Sequence, residues 1–413
     1  MTAAALLLKP GKERSLLRRH PWVHATAVAR IEGEAAPGDL VSVRASDRRF
    51  LAWAAYSPGS LLRARCWSFD EAERIDDAWF AARVAAAVAR RAPLREASNA
   101  LRLVYGEADR LPGLVVDQYD DQLVVQVQAA GVDARREPLL DALCRATGCG
   151  NVYDRSDSAL REREGLTPGG GVLRGRAPPA HLRIVEHGVQ FDVDVRRGHK
   201  TGFYIDQRDN RRLAAELVRD QLARTGRGPR VLNCFCYTGG FSVAAARAGA
   251  ARVDSVDSSA DALALAHANA RLNGLPSAAP GAPDDGAGGL HWTAADVFEH
   301  LRTLRDRNAR YDLIVLDPPK FATNQHQVER AARAYKDINL GALRLLEPGG
   351  RLLSFSCSGA IEVDLFQKIV AGAVFDAGVD TFLRARLGAG ADHPTLMTLP
   401  EGEYLKGLLL ERV

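Results

Sequence analysis

Three acids and one thiol stand where short apolar runs of this sequence end, the place at which a strand-built cleft presents its chemistry. The run Val231-Leu232-Asn233-Cys234-Phe235-Cys236-Tyr237-Thr238-Gly239-Gly240-Phe241 passes from a buried-strand pattern into a glycine-bearing turn and on into a helix. Glycines in such a turn let the backbone approach a ligand, and a doubly wound sheet holds its ligand at the carboxyl ends of its strands. The next strand, Arg252 to Val256, ends at Asp257 with Ser258 beside it. An acid about 20 residues beyond the glycines is placed to accept hydrogen bonds from a ribose diol. Asp296, followed by Val297, closes a third strand, where a carboxylate beside a backbone amide can read the amino edge of adenine. The turn lacks G-x-G-x-x-G, so a nucleoside cofactor without phosphates fits better than a dinucleotide. Each of these residues alone has a plainer reading as a tight turn or a solvated acid. Their joint placement at successive strand tips favours a cofactor site made by Phe235, Tyr237, Thr238, Gly239, Gly240, Asp257, Ser258, Asp296 and Val297.

The reacting end is expected at two further tips. Leu313-Ile314-Val315-Leu316-Asp317-Pro318-Pro319-Lys320-Phe321 is an apolar strand closed by an acid and two prolines. Each proline fixes its φ and lacks an N–H, and Pro318 keeps Asp317 out of helical geometry, so the strand end is rigid and extended. Leu352-Leu353-Ser354-Phe355-Ser356-Cys357-Ser358-Gly359 repeats the design with a thiol at the tip. A cysteine on a core strand is usually inert packing; at a ligand-facing tip among hydroxyls it is a candidate nucleophile. The other five, Cys66, Cys144, Cys149, Cys234 and Cys236, show no C-x-x-C spacing and point to no metal. Cys234 and Cys236 read as small core residues on one face of a strand.

The elements that must position these groups follow from periodicity and turn chemistry. Strand and helix patterns alternate beyond residue 181: a hairpin from Leu182 to Val195, then Gln207 to Arg224, Val231 to Phe235, Gly240 to Ala248, Arg252 to Asp257, Ala260 to Leu272, Leu313 to Asp317, Val328 to Leu345 and Gly350 to Ser356. This order predicts a parallel sheet with helices on both faces. Residues 276 to 289, rich in Pro, Ala, Gly and Asp, read as a disordered insertion. Upstream, short runs between Ala27 and Phe69 (Leu40 to Arg44, Phe50 to Tyr56, Leu61 to Trp67) predict a small β-barrel. A helix from Asp76 to Arg91, three strands, an amphipathic helix from Arg135 to Ala146 and a strand from Asn151 to Arg155 predict a small α+β domain, and Gly165 to Pro179 reads as a surface linker.

Residues 1 to 69 hold eleven Lys and Arg against five acids, which leaves the remainder of a +4 chain slightly acidic. A basic N-terminal module suits a polyanion. The apolar stretches Ala3 to Leu8 and Leu352 to Phe355 are far short of the roughly 20 residues of a membrane span, and the first has no basic lead or cleavage site, so a cytoplasmic protein without a membrane partner is expected.

Several further runs add to this pattern: Arg18-Arg19-His20-Pro21-Trp22-Val23, Ala55-Tyr56-Ser57-Pro58, Leu111-Pro112-Gly113-Leu114-Val115-Val116-Asp117, Gly198-His199-Lys200-Thr201-Gly202-Phe203-Tyr204-Ile205-Asp206-Gln207-Arg208, Asp392-His393-Pro394 and Tyr404-Leu405-Lys406-Gly407. With the glycine turn, Asp-Pro-Pro-Lys-Phe and Ser356-Cys357-Ser358, the chain resembles, over nearly its whole length, the bacterial ribosomal RNA large subunit methyltransferase I family, cytosine-5 methyltransferases with an N-terminal PUA domain. The resemblance implies an α/β fold: a Rossmann-like class I methyltransferase domain (181–413) behind a PUA RNA-binding barrel (1–75) and a small α+β connector (76–180). It implies S-adenosyl-L-methionine as cofactor, large-subunit ribosomal RNA as partner, Cys357 attacking C6 of a flipped cytosine, and Asp317 holding N3 and the amino group. It also implies substrate contacts from Lys200, Asp206, Gln207, Arg208, Pro318, Pro319, Lys320 and Phe321. A homodimer is compatible with the sequence, which does not fix the oligomeric state.

One departure stands out. Many RNA cytosine-5 methyltransferases carry a second cysteine in the motif corresponding to Asp317-Pro318-Pro319-Lys320, and here there is none, so the base that takes the C5 proton is unassigned. Two rival readings remain. Asp-Pro-Pro motifs also serve guanine N-methyltransferases, which stack the base on an aromatic residue next to the prolines; Lys320 holds that place here and Phe321 comes one later. A pure RNA-binding protein with a relic methyltransferase fold is opposed by intact acids at all three cofactor positions.

Overall fold

The computed structural model describes residues 4–283 and 286–413. Its chain divides into two compact units: one runs to Ile184 and adds Val193–Ile205 and Asp392–Gly402, the other comprises Val185–Asp192, Asp206–Ala391 and Glu403–Val413.

The first unit opens with β1 (Ala5–Leu8), α1 (Arg14–Leu17), β2 (Trp22–His24), β3 (Val28–Glu32), β4 (Leu40–Arg44), β5 (Phe50–Tyr56) and β6 (Leu62–Ser68). These strands form a six-stranded sheet in the order β2-β6-β5-β4-β1-β3 around a core that includes Leu6, Leu8, Val23, Val41, Val43 and Leu51. The sequence pattern places the barrel's start at Ala27. The structure begins it at β1, which pairs in parallel with β4 and antiparallel with β3, a long-range partnership that local patterning does not carry.

There follow α2 (Asp77–Arg91), β7 (Ala100–Tyr105), β8 (Leu114–Tyr119), β9 (Gln122–Val127), α3 (Ala130–Ala134), α4 (Arg136–Thr147), β10 (Asn151–Asp154), α5 (Ser158–Arg163) and β11 (Gly171–Arg174). Asp76 caps α2 by accepting the Trp79 N–H at 3.0 Å, and Trp67 packs edge to face on Phe80 with ring centroids 5.0 Å apart. A five-stranded sheet runs β11-β10-β9-β8-β7. The stretch Gly165 to Pro179 is therefore more than a linker, since β11 lies within it and pairs antiparallel with β10.

Two buried ion pairs, Arg91 with Asp109 and Arg102 with Asp117, brace this part, at 2.6 and 2.5 Å. Asp392 completes it: its carboxylate accepts the Arg102 N–H and its carbonyl accepts Arg91 Nη2, both at 3.0 Å. The Asp392-His393 pair thus supports the first unit's interior, with His393 Nδ1 2.9 Å from the Asp392 carboxylate.

In the remaining chain β12 (Leu182–Glu186) and β13 (Val189–Val193) form a hairpin. The second unit then has α6 (Arg208–Thr225), β14 (Arg230–Cys234), α7 (Gly240–Arg247), β15 (Arg252–Asp257), α8 (Ala260–Leu272), β16 (Gly289–Ala294), α9 (Val297–Asp306), β17 (Tyr311–Leu316), α10 (Val328–Leu345), β18 (Leu346–Ser356), α11 (Val363–Ala377), β19 (Thr381–Leu387) and β20 (Lys406–Arg412). The seven strands β14 to β20 are ordered β16-β15-β14-β17-β18-β20-β19. The first five are mutually parallel, whereas β20 runs antiparallel to β18 and β19. Strand order reverses between β14 and β17, and a crevice opens at the carboxyl ends of strands at such a switch point.

The described part of 276–289 is not a disordered insertion. Ser277 bridges to Leu290, and the Ala278 N–H reaches the Leu290 carbonyl at 2.9 Å. The Ser277 hydroxyl lies 2.8 Å from His267 Nδ1 and accepts Trp292 Nε1 at 2.9 Å. Asp284 and Asp285 lie outside the described residues.

Candidate active site

The turn after β14 is built on unusual backbone. Phe235 (φ 60), Tyr237 (φ 49) and Gly239 (φ 80) all lie in the left-handed region, which side-chain-bearing residues adopt rarely and mostly at functional sites. At Gly239 a Cβ would stand 3.0 Å from both the Ala266 Cβ and the Trp292 ring, so the position admits only glycine without displacement. Cys236 falls in this turn beyond the strand, contrary to the expectation that it shares a strand face with Cys234; both are nonetheless buried. Burial pushes both thiols well up, and that of Cys66 up to about 12.

Asp257, at the tip of β15, is half-buried. Its two oxygens accept the Tyr237 N–H at 2.8 Å and the Ser259 N–H at 2.9 Å, so the acid is aimed by the strained turn and retains lone pairs for a further donor. Asp296 is exposed and N-caps α9, accepting the Glu299 N–H at 3.1 Å. The Thr238 hydroxyl is buried without a hydrogen-bond partner among the described residues, and the Thr238 carbonyl accepts from buried Asn269, which also receives the Asp192 N–H at 2.7 Å. An orphaned buried hydroxyl, a turn that brings backbone close, and an acid at the adjacent tip fit a nucleoside ligand with a ribose diol. Ser258 lies at the start of the loop after β15, Gly240 at the start of α7 and Val297 at the start of α9.

Across the switch point, the Asp317 N–H is 3.5 Å from the Cys234 carbonyl, which sets Asp317 half-buried at the tip of β17 beside the turn. Pro318 is buried while Pro319 and Lys320 are exposed. Cys357 follows the last residue of β18 and is half-buried, its Sγ 3.8 Å from the Pro318 carbonyl. The loop beyond is locked from inside. Ser358 Oγ accepts the N–H groups of Phe321 and Ala322, each at 3.1 Å, and lies 2.9 Å from the Tyr335 hydroxyl. These bonds fasten the Asp-Pro-Pro-Lys-Phe loop to the cysteine loop.

Asp206, Gln207 and Arg208 are buried where α6 begins. There Asp206 accepts from the Tyr404 hydroxyl, Gln207 accepts from Asn210 at 2.6 Å, and Arg208 faces Asp209 at 3.7 Å. Phe321 packs among Tyr335, Phe298 and Phe235 at centroid distances of 4.8, 6.1 and 6.4 Å. Lys200 belongs to the first unit, its Nζ 4.7 Å from the Tyr204 ring centroid. Lys406, quoted in the sequence only as part of a run, enters the cysteine loop; its signal was a basic residue heading the apolar run Gly407 to Leu410.

A model for S-adenosylmethionine-dependent methyltransferases matches residues 169–387, and a PUA-like domain model matches residues 6–69. Proteins named ribosomal RNA large subunit methyltransferase I are similar throughout. That of Shewanella amazonensis is 48% identical over 97% of this chain and 98% of its own length, and that of Klebsiella pneumoniae (strain 342) 45% identical over 97% and 96%. Among solved structures, a candidate methyltransferase from Streptococcus mutans superposes with a TM-score of 0.80 at 20% identity, covering 98% of this chain and 99% of its own. A methyltransferase complexed with S-adenosylhomocysteine gives a TM-score of 0.82 at 21% identity with the same coverage. The chain belongs to the ribosomal RNA large subunit methyltransferase I family, and S-adenosylmethionine is its cofactor.

Proposed function

We propose that this protein methylates C5 of a cytosine in large-subunit ribosomal RNA, with Cys357 as nucleophile and Asp317 as the group that orients the base. The observation that carries the reading is Cys357 itself: half-buried and next to the Asp-Pro-Pro loop, whereas Cys66, Cys149, Cys234 and Cys236 are buried. When bound, S-adenosylmethionine supplies an electrophilic methyl group, held by Asp257, Asp296 and the turn from Phe235 to Gly240. C5 of cytosine is a poor nucleophile. Addition of the Cys357 thiolate at C6 makes C5 enamine-like; C5 would then bond to the methyl carbon as that carbon's bond to the sulfonium sulfur breaks and S-adenosylhomocysteine leaves, and loss of the C5 proton to a base would restore the C5–C6 double bond, break the S–C6 bond and free the thiolate. A carboxylate at Asp317 would bind N3 and the amino group and favour the protonated adduct. Exposed Pro319 and Lys320 would flank the base, and the barrel would dock the RNA.

The guanine N-methyltransferase reading needs an aromatic residue free to stack on the base. Phe321 is engaged with Phe235, Phe298 and Tyr335, which argues against it. The test is RNA carrying 5-fluorocytosine at the target: one methylation should be followed by trapping, because fluorine cannot leave as a proton does, and the protein–RNA adduct should survive denaturing electrophoresis. Cys357→Ala should abolish adduct and methylation together, and near-normal methyl transfer by that variant would overturn the cytosine-5 reading.

A further inference from the structure

Lys406 is the first residue of β20 and is paired across the sheet with Ser356, the last residue of β18. That register carries its side chain to the loop after Cys357, where Nζ donates to the carbonyls of Ser358 and Ile361, both at 2.8 Å. Lys406 is 4% exposed. Among the described residues no carboxylate lies within ion-pair distance of its ammonium. A buried ammonium is costly unless an anion or good acceptors compensate it. Two carbonyl dipoles do part of this, and a thiolate at Cys357, one residue before Ser358, is an anion chemically available to do more.

We propose that Lys406 is a positioning residue that clamps the Ser358–Ile361 turn and, through its charge, stabilises the thiolate of Cys357. The inference rests on Cys357 being the nucleophile of the proposed reaction. Burial pulls the Lys406 ammonium below its ordinary range, and the neighbouring Cys357 opposes that pull. Glu403, just before the strand, also favours the charged amine and Lys320 disfavours it. Tyr335 on α10 is a further titratable group facing Cys357; burial keeps its hydroxyl protonated, and it bonds to Ser358. A cation beside a thiol lowers its pKa from about 8.5 into a range of roughly 3.5–7.5. Purely structural clamping would need the hydrogen bonds of Lys406 and not its charge.

The pH dependence of iodoacetamide alkylation at Cys357, followed by peptide mass in the full-length protein without RNA, separates the two. The expected wild-type midpoint is below about 7.5. It should rise by about one pH unit or more in Lys406→Gln and Lys406→Met and stay low in Lys406→Arg, so that alkylation at pH 7 falls about tenfold in the uncharged variants. An unchanged midpoint in a Lys406→Gln protein that still binds S-adenosylmethionine would overturn the proposal. Should the variants fold poorly, the wild-type titration decides, with Cys357→Ser as blank: a midpoint at or above about 8.5 overturns it. Methyl transfer retained by Cys357→Ala would remove the nucleophile, and this inference with it, even where the midpoint is low.

Discussion

Asp257 combines two tasks at one carboxylate, holding the Tyr237 and Ser259 amides and leaving lone pairs for a ribose. Asp257→Ala should weaken S-adenosylmethionine binding by about 1.5–3 kcal/mol, the range for a hydrogen bond to a charged group; calorimetry giving unchanged affinity would count against this placement. Gly239→Ala is expected to act through the backbone. A left-handed conformation costs an L-residue about 1–2 kcal/mol, and the added methyl meets Ala266 and Trp292 at 3.0 Å. A lower melting temperature together with weaker cofactor binding is the expected result, and wild-type behaviour in both would show the turn to be relaxed. The positions of these residues were legible in the sequence because they lie at or shortly after strand ends: Asp257 closes β15, Asp296 comes two residues beyond β16 and Gly239 five beyond β14. The positive φ of Phe235 and Tyr237 was not, since nothing in an aromatic side chain announces a strained backbone.

At the level of elements, two caps offer a contrast. Asp76 and Asp296 each accept a backbone N–H at a helix start, but only Asp296 lies beside the proposed cofactor. Loss of an N-cap costs about 1 kcal/mol. Thermal melts should therefore show similar losses for Asp76→Ala and Asp296→Ala, with S-adenosylmethionine affinity falling only in the second. Equal affinities would reduce Asp296 to a cap. Helices whose apolar stripe is local, such as Val328–Leu345, were readable to the residue. The strands β19 and β20 were not expected, because β20 holds a short continuous apolar run, Leu408 to Leu410, that periodicity cannot separate from a helix. Likewise β11 and the Ser277 bridge exist through partners distant in sequence, which composition rich in Gly and Pro conceals. Lys406 stayed hidden for the same reason: its acceptors, Ser358 and Ile361, lie more than forty positions earlier.

For the molecule as a whole, the basic character of the N-terminal region resolves into two populations. Arg30, Arg44 and Arg48 are engaged with Glu32 or Glu71. Lys12, Arg14, Arg18 and Arg19 are exposed in one short stretch around α1, and none has a carboxylate partner among the described residues. If the barrel docks RNA, Arg14→Glu with Arg18→Glu should weaken binding and flatten its salt dependence by roughly 0.7–0.9 for each phosphate no longer neutralised. Arg48→Glu should do so far less, and an equal effect of both changes would disperse the RNA-binding surface over the whole barrel. The chain also returns late to the first unit, where Asp392 supports both Arg91 and Arg102 from within. During synthesis the N-terminal unit must therefore wait, its arginines without this acceptor, until residues 392 to 402 have left the ribosomal tunnel. The order in which the polypeptide emerges is not the order in which its parts can reach their final stability.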